Sequence, residues 1–124
     1  MSTNGHAVLG IDVGLDGALA FHRDGCWMVR DMPTVDDGKR HRRDINSAAI
    51  CALLREQAPT KHAYIEHAAA MPRQGVASMF NFGRTFGALQ MALVAANIPH
   101  TVVTSQASVE RLWRAAGNTV QWRP

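Results

Sequence analysis

The stretch Ala7-Val8-Leu9-Gly10-Ile11-Asp12-Val13-Gly14-Leu15-Asp16-Gly17-Ala18-Leu19-Ala20 decides the fold. Residues 6–12 (HAVLGID) are apolar and close on an acid, as a buried strand does where its end emerges at a surface. Residues 13–17 (VGLDG) supply two glycines for a tight turn. Beyond it, residues 18–22 and 27–30 read as short strands joined by Arg23-Asp24-Gly25. Three strands linked by tight turns predict an antiparallel meander.

Further along, residues 31–43 are polar, hold Pro33 and Gly38, and read as a loop. Asp44 is the expected N-cap of a helix that carries Ile45, Ala48, Ala49, Ala52, Leu53 and Leu54 and stops before Pro59. Residues 62–66 (HAYIE) form another short strand that closes on an acid. After the polar joint Met71-Pro72-Arg73-Gln74-Gly75, the residues Met79, Phe82, Phe86, Leu89, Leu93 and Ala96 recur at steps of three and four. That spacing draws one apolar stripe along a helix, expected to be core rather than a platform for stacking bases. Ile98-Pro99 ends it, and residues 101–104 (TVVT) are a fifth strand. Residues 109–116 read as a short helix closed by Gly117, with residues 118–124 as a tail. The order predicts an α/β fold: a mixed sheet, three antiparallel strands then strand–helix alternation, flanked by helices.

Composition bounds the function. With 124 residues, 47% hydrophobic and 19% charged, the chain is globular material with one modest core. Thirteen Lys and Arg against ten Asp and Glu give +3, which permits a polyanionic partner without requiring one. The apolar run at residues 86–98 is broken by Gln90 and Asn97 and is too short to cross a bilayer. No charged segment leads into an apolar one at the start, so a cytoplasmic location and no membrane partner are expected. Cys26 and Cys51 lack C-x-x-C pairing and read as two thiols in a reducing compartment. There is no G-x-S-x-G, Walker loop or H-E-x-x-H, so a serine hydrolase, P-loop NTPase or zincin is unsupported.

Asp12 and Glu66 are the most informative residues. Each closes an apolar strand, and sites in α/β sheets are built at strand C-termini. If the two strands are parallel neighbours, the carboxylates converge, and a divalent cation relieves their repulsion. Mg²⁺ is usually held by one or two carboxylates plus substrate phosphate. The plainer alternative is that both acids simply face solvent.

Residues 9–20 (LGIDVGLDGALA) resemble the first strand and turn of RuvC-type Holliday-junction resolvases, in particular the small bacterial and phage forms, whose turn usually reads GIDPG. Tyr64-Ile65-Glu66-His67, with residues 71–75, looks like their second acidic motif, and residues 78–93 (SMFNFGRTFGALQMAL) like the helix that follows it. The likeness spans residues 7–104 in the right order. It implies an RNase H-like fold, a homodimer, cleavage of branched DNA such as a four-way junction, and a divalent metal: Mg²⁺, with Mn²⁺ as the alternative ion. Carried over position by position, Asp12 and Glu66 match the family's first two catalytic, metal-binding acids.

Departures accompany the likeness. Val13 replaces the usual proline, and Asp16 stands where a small polar residue is common. The family carries further acids on a C-terminal helix, whereas Glu110 is the one acid after Glu66 here. The chain accordingly divides into a resolvase-like core, 1–104, and a divergent or truncated tail, 105–124, and little or no cleavage is expected of it. A second reading is a non-catalytic remnant that grips branched DNA or dimerises. A third is an actin/Hsp70-like nucleotide-binding fragment, because Asp12-Val13-Gly14 followed by Asp16-Gly17 also resembles that phosphate-binding hairpin. It would need a second domain and another glycine-rich loop.

Lys39, Arg40, Arg42 and Arg43 place four fixed cations within five residues, either as a DNA-backbone contact or as a solvated loop. Arg73 and Arg84 are further DNA-binding candidates. Gly83 and Gly87 permit close approach of a backbone, with the sheet as the default and a second subunit or DNA as the alternatives. His67 is expected on the opposite strand face from Glu66, as a surface histidine.

Overall fold

Strand β1 (Ala7–Asp12) is the centre of a five-stranded sheet. The computed structural model describes residues 5–36, 38, 43–66, 75–103 and 114. On one side β1 pairs antiparallel with β2 (Ala18–Arg23), which pairs antiparallel with β3 (Cys26–Asp31). A small hairpin, β4 (Thr34–Asp36) and β5 (Arg43–Ile45), precedes helix α1 (Ser47–Glu56). Strand β6 (Thr60–Glu66) lies parallel to β1 on its other side, helix α2 (Val76–Ala95) follows, and β7 (His100–Val103) adds a parallel edge. The order is β3-β2-β1-β6-β7. The meander and the strand–helix alternation both hold.

Strand alternation sorts the side chains between two faces. Leu9, Ile11, Leu19, Phe21, Ala63 and Ile65 are at most 1% exposed and point to one face. Both helices lie on that face, through Ile50, Leu53 and Leu54 of α1 and Leu89 and Leu93 of α2, in a single apolar cluster. Each large side chain buried there stabilises the fold by roughly 1.5–3 kcal/mol before entropy is counted. The opposite face carries a small cluster of Ala20 and Val103 with Val8 and Trp27 beside them. Asp12 and Glu66 have this second parity.

The β1–β2 turn is held by backbone geometry. Gly14 has φ +138°, a conformation that side-chain-bearing residues rarely adopt. At Gly17 a Cβ would stand 1.9 Å from the Asp12 carbonyl oxygen. Only glycine lets the returning chain pass so close to the end of β1. Gly17 also donates to Gly14 O at 3.1 Å and accepts from Met32 N at 2.9 Å.

Four expectations are corrected. Residues 31–43 are not simply a loop, since they contain β4 and the first residue of β5. Asp44 is not the helix cap. It belongs to β5, where it pairs with Val35, and Asn46 caps α1, its side-chain oxygen accepting from Ala49 N at 3.1 Å. Ile45 is accordingly a buried strand residue rather than a helical one. The apolar stripe on α2 is core only over its second half. Leu89 and Leu93 are buried, Phe82 and Phe86 are half-buried with rings stacked 6.4 Å apart, and Met79 is exposed. Finally, Gly83 and Gly87 do not pack on the sheet, because a Cβ at either would meet nothing within 4 Å. The reading of residues 109–116 as a helix and of 118–124 as a tail lies outside the described residues, apart from helical Arg114.

Arg23 fastens the far end of the sheet. Its guanidinium donates to Gln57 O, just beyond α1, and to Pro59 O, at 3.0 Å, where the chain enters β6. Its Nε is buried with no hydrogen-bond partner among the described residues.

Candidate active site and nucleic-acid interface

In the parallel β1–β6 register Ile11 stands opposite Ile65, so Asp12 and Glu66 follow at the adjoining strand ends. Both are half-buried. Burial holds the Asp12 carboxyl above the ordinary carboxylate range. Glu66 is raised as well, first by burial and then by the negative charge of Asp12. Glu66 Oε2 is buried with no hydrogen-bond partner among the described residues. A buried acceptor facing a second carboxylate is an energetically poor arrangement unless a cation completes it. Oxygen donors of this kind suit Mg²⁺ or Mn²⁺. No group of three or more His, Cys, Asp and Glu gathers among the described residues, so the pair stands without a third protein ligand there.

A cleft of about 480 Å³ opens between the β1–β2 turn, β5 and α2, and neither Asp12 nor Glu66 lines it. Its walls are the β1–β2 turn at Gly14, Leu15 and Asp16, the β5 residues Arg43 and Asp44, and the face of α2 that carries Asn81 and Arg84. Two ion pairs cross between these walls. Arg43 Nη2 donates to Asp16 Oδ1 at 2.6 Å, and Arg84 Nη2 to Asp44 Oδ2 at 2.5 Å. Arg43 and Arg84, far apart in sequence, thus share one cleft. Lys39, Arg40, Arg42 and Arg73 lie outside the described residues, as do His67 and Glu110.

Sequence reasoning missed the two aspartates that hold these arginines. The only local signal was Asp16, an acid where a small polar residue is common. It also missed an edge cluster on β6 and β7. There His62 Nε2 lies 2.7 Å from Thr101 Oγ1, and burial, then the charges of His100 and Lys61, lowers the His62 pKa.

Sheet order, helices on one face and acids at adjacent strand ends define an α/β domain of the RNase H-like class. Among solved structures the chain is similar to T. thermophilus RuvC in complex with a Holliday junction substrate, at 17% identity and TM-score 0.58, over 95% of this chain and 84% of that one. A second T. thermophilus RuvC structure matches at 17% identity and TM-score 0.50 over the same shares. At this identity the likeness shows the fold. No protein-family model matches the sequence, and no curated protein does.

Proposed function

We propose that the chain is of the Holliday-junction resolvase type, a metal-dependent, structure-selective endonuclease by design that acts on four-way DNA junctions in the cytoplasm, with cleavage weak or lost for want of a third acid beside Asp12 and Glu66 among the described residues. The observation that carries this reading is the Asp12–Glu66 pair, with Glu66 Oε2 buried and unpartnered, at the ends of the two strands that form the centre of an RNase H-like sheet. Asp12 and Glu66 would hold Mg²⁺ or Mn²⁺. Bound there, the ion would polarise a phosphodiester and lower the pKa of its water. The two carboxylates orient what they hold, because β1 and β6 fix their backbones within one hydrogen-bonded ladder. Arg43 and Arg84 meet the DNA backbone, together with Lys39, Arg40, Arg42 and Arg73.

A homodimer fits the same reading. Val76, Phe80, Gly83, Gly87, Met91 and Val94 recur at helical spacing on the side of α2 away from Leu89 and Leu93, with Arg84, the one charge of the helix, at their margin. Val76 is 85% exposed, Phe80 69% and Met91 66%. An apolar helical face of this kind marks a protein contact, and its two open glycines allow close helix–helix approach.

The second reading, a protein of the same fold that grips branched DNA without cutting it, is favoured by the absence of a third acid among the described residues. A synthetic four-way junction distinguishes the two. Cleavage that requires Mg²⁺ or Mn²⁺ and is lost in Asp12→Asn supports the endonuclease. A band shift without cleavage in either ion leaves the binder, and absence of both refutes the resolvase reading.

A further inference from the structure

Among the described residues that line the cleft, each of the two arginines is already matched by an aspartate. We infer that Asp16 and Asp44 are latches for Arg43 and Arg84, holding them across the cleft until the phosphates of a nucleic-acid backbone displace them and take their place. The inference rests on the reading that the chain binds DNA, and it deepens that reading by assigning a role to two acids.

Exposure decides what these pairs do. The side chains of Arg43 and Asp16 are 45% and 89% exposed, and those of Arg84 and Asp44 are 61% and 40% exposed. Ion pairs so open to water contribute little to stability, so their value as struts is small and they are cheap to break. A phosphate offers the same guanidinium a bidentate acceptor, and each one neutralised releases counterions from the DNA.

The asymmetry of the second pair shows which partner moves. Asp44 is tied to its own strand, Oδ1 accepting from Ile45 N at 2.8 Å while Oδ2 receives Arg84. On exchange the arginine swings and the aspartate stays. Arg84 projects from α2 and Arg43 from β5, so the two released guanidinium groups reach the cleft from different walls. The cleft takes in the β1–β2 turn at Gly14, two residues beyond Asp12 in the chain. Until exchange, the carboxylates repel phosphate. Loosely held polyanions are thereby rejected, and ligands that satisfy both arginines at once are favoured.

The test is the affinity of the full chain for a synthetic four-way junction and a linear duplex across a salt series. Asp16→Asn and Asp44→Asn are expected to bind about threefold to tenfold more tightly, with the gain larger for the duplex. Arg43→Gln and Arg84→Gln should bind more weakly, each reducing the salt slope by about 0.9. In the double variant D16N/R43Q the gain from D16N should vanish, since the acid acts through its arginine. Melting temperatures of all variants verify that each is folded, and the two pairs test the idea separately. A gain that persists without Arg43 means plain repulsion and overturns the latch, as do unchanged affinities in both aspartate variants while the parent binds. If the parent binds neither DNA, the resolvase reading falls and takes the latch with it.

Discussion

At residue scale, the acid pair lowers the stability of the metal-free fold. Burial raises the folded pKa of Asp12 and, with the charge of Asp12, that of Glu66. The folded state therefore binds more protons than the unfolded state between their ordinary pKa, about 4, and the raised folded values. Stability contributed by the protonated pair is present below that window and is lost as pH rises through it. Asp12→Asn removes one charge and relieves Glu66 too. In EDTA its melting temperature should exceed that of the parent by a margin that grows between pH 4 and pH 7, and Mg²⁺ should narrow the margin by stabilising only the parent. A margin independent of pH, measured by thermal unfolding across that range, would contradict the arrangement. Asp12 and Glu66 were legible in the sequence because each interrupts an apolar strand at its end. Asp16 and Asp44 were not, because their partners lie 27 and 40 residues away in positions that no local pattern predicts.

At the scale of elements, α2 is a helix with two apolar faces. Its periodicity was plain in the sequence, but the face that enters the core was not, since Met79 and Phe82 continue the stripe of Leu89 and Leu93 as well as core residues would. What the sequence could not supply was how much of the helix the sheet covers: the core face holds Thr85, Leu89 and Leu93 and leaves the first two turns outside. Leu89→Ala should therefore cost about 2–5 kcal/mol in urea unfolding, the usual range for an emptied core site. Met79→Ala should stay within about 0.5 kcal/mol, as exposed positions do. Equal costs would mean that both halves of the helix are packed. The hairpin of β4 and β5 escaped sequence reading for a different reason. Its strands have three residues each, too short for alternation to appear, and they are separated by a polar, glycine-containing run.

For the whole molecule, the order of strands and helices apart from the β4–β5 hairpin followed from the sequence, because each of those strands is short, apolar and bounded by turns. Which strands are neighbours was a further step: β1 and β6 meet although 47 residues separate the ends of the two strands, Asp12 and Thr60 lying either side of the hairpin and α1. The outer stripe of α2 belongs to this scale. If two copies join through it, the melting temperature rises with protein concentration, by mass action. Phe80→Ser should abolish that dependence and leave a monomer by sedimentation, with monomer stability changed by less than about 0.5 kcal/mol. A parent that sediments as a monomer at every concentration refutes the dimer.

The pleat of the sheet also separates two kinds of change. Ala7, Leu9 and Ile11 of β1 and Ala63 and Ile65 of β6 build the interior against the helices, while Asp12 and Glu66 alternate with them on the other side. Chemistry and folding thus draw on different letters of the same strands. Substitutions that retune the site leave the interior untouched, and those that repack the interior leave the acids where they are. A lineage built on this sheet can lose, regain or redirect its activity without passing through an unfolded ancestor.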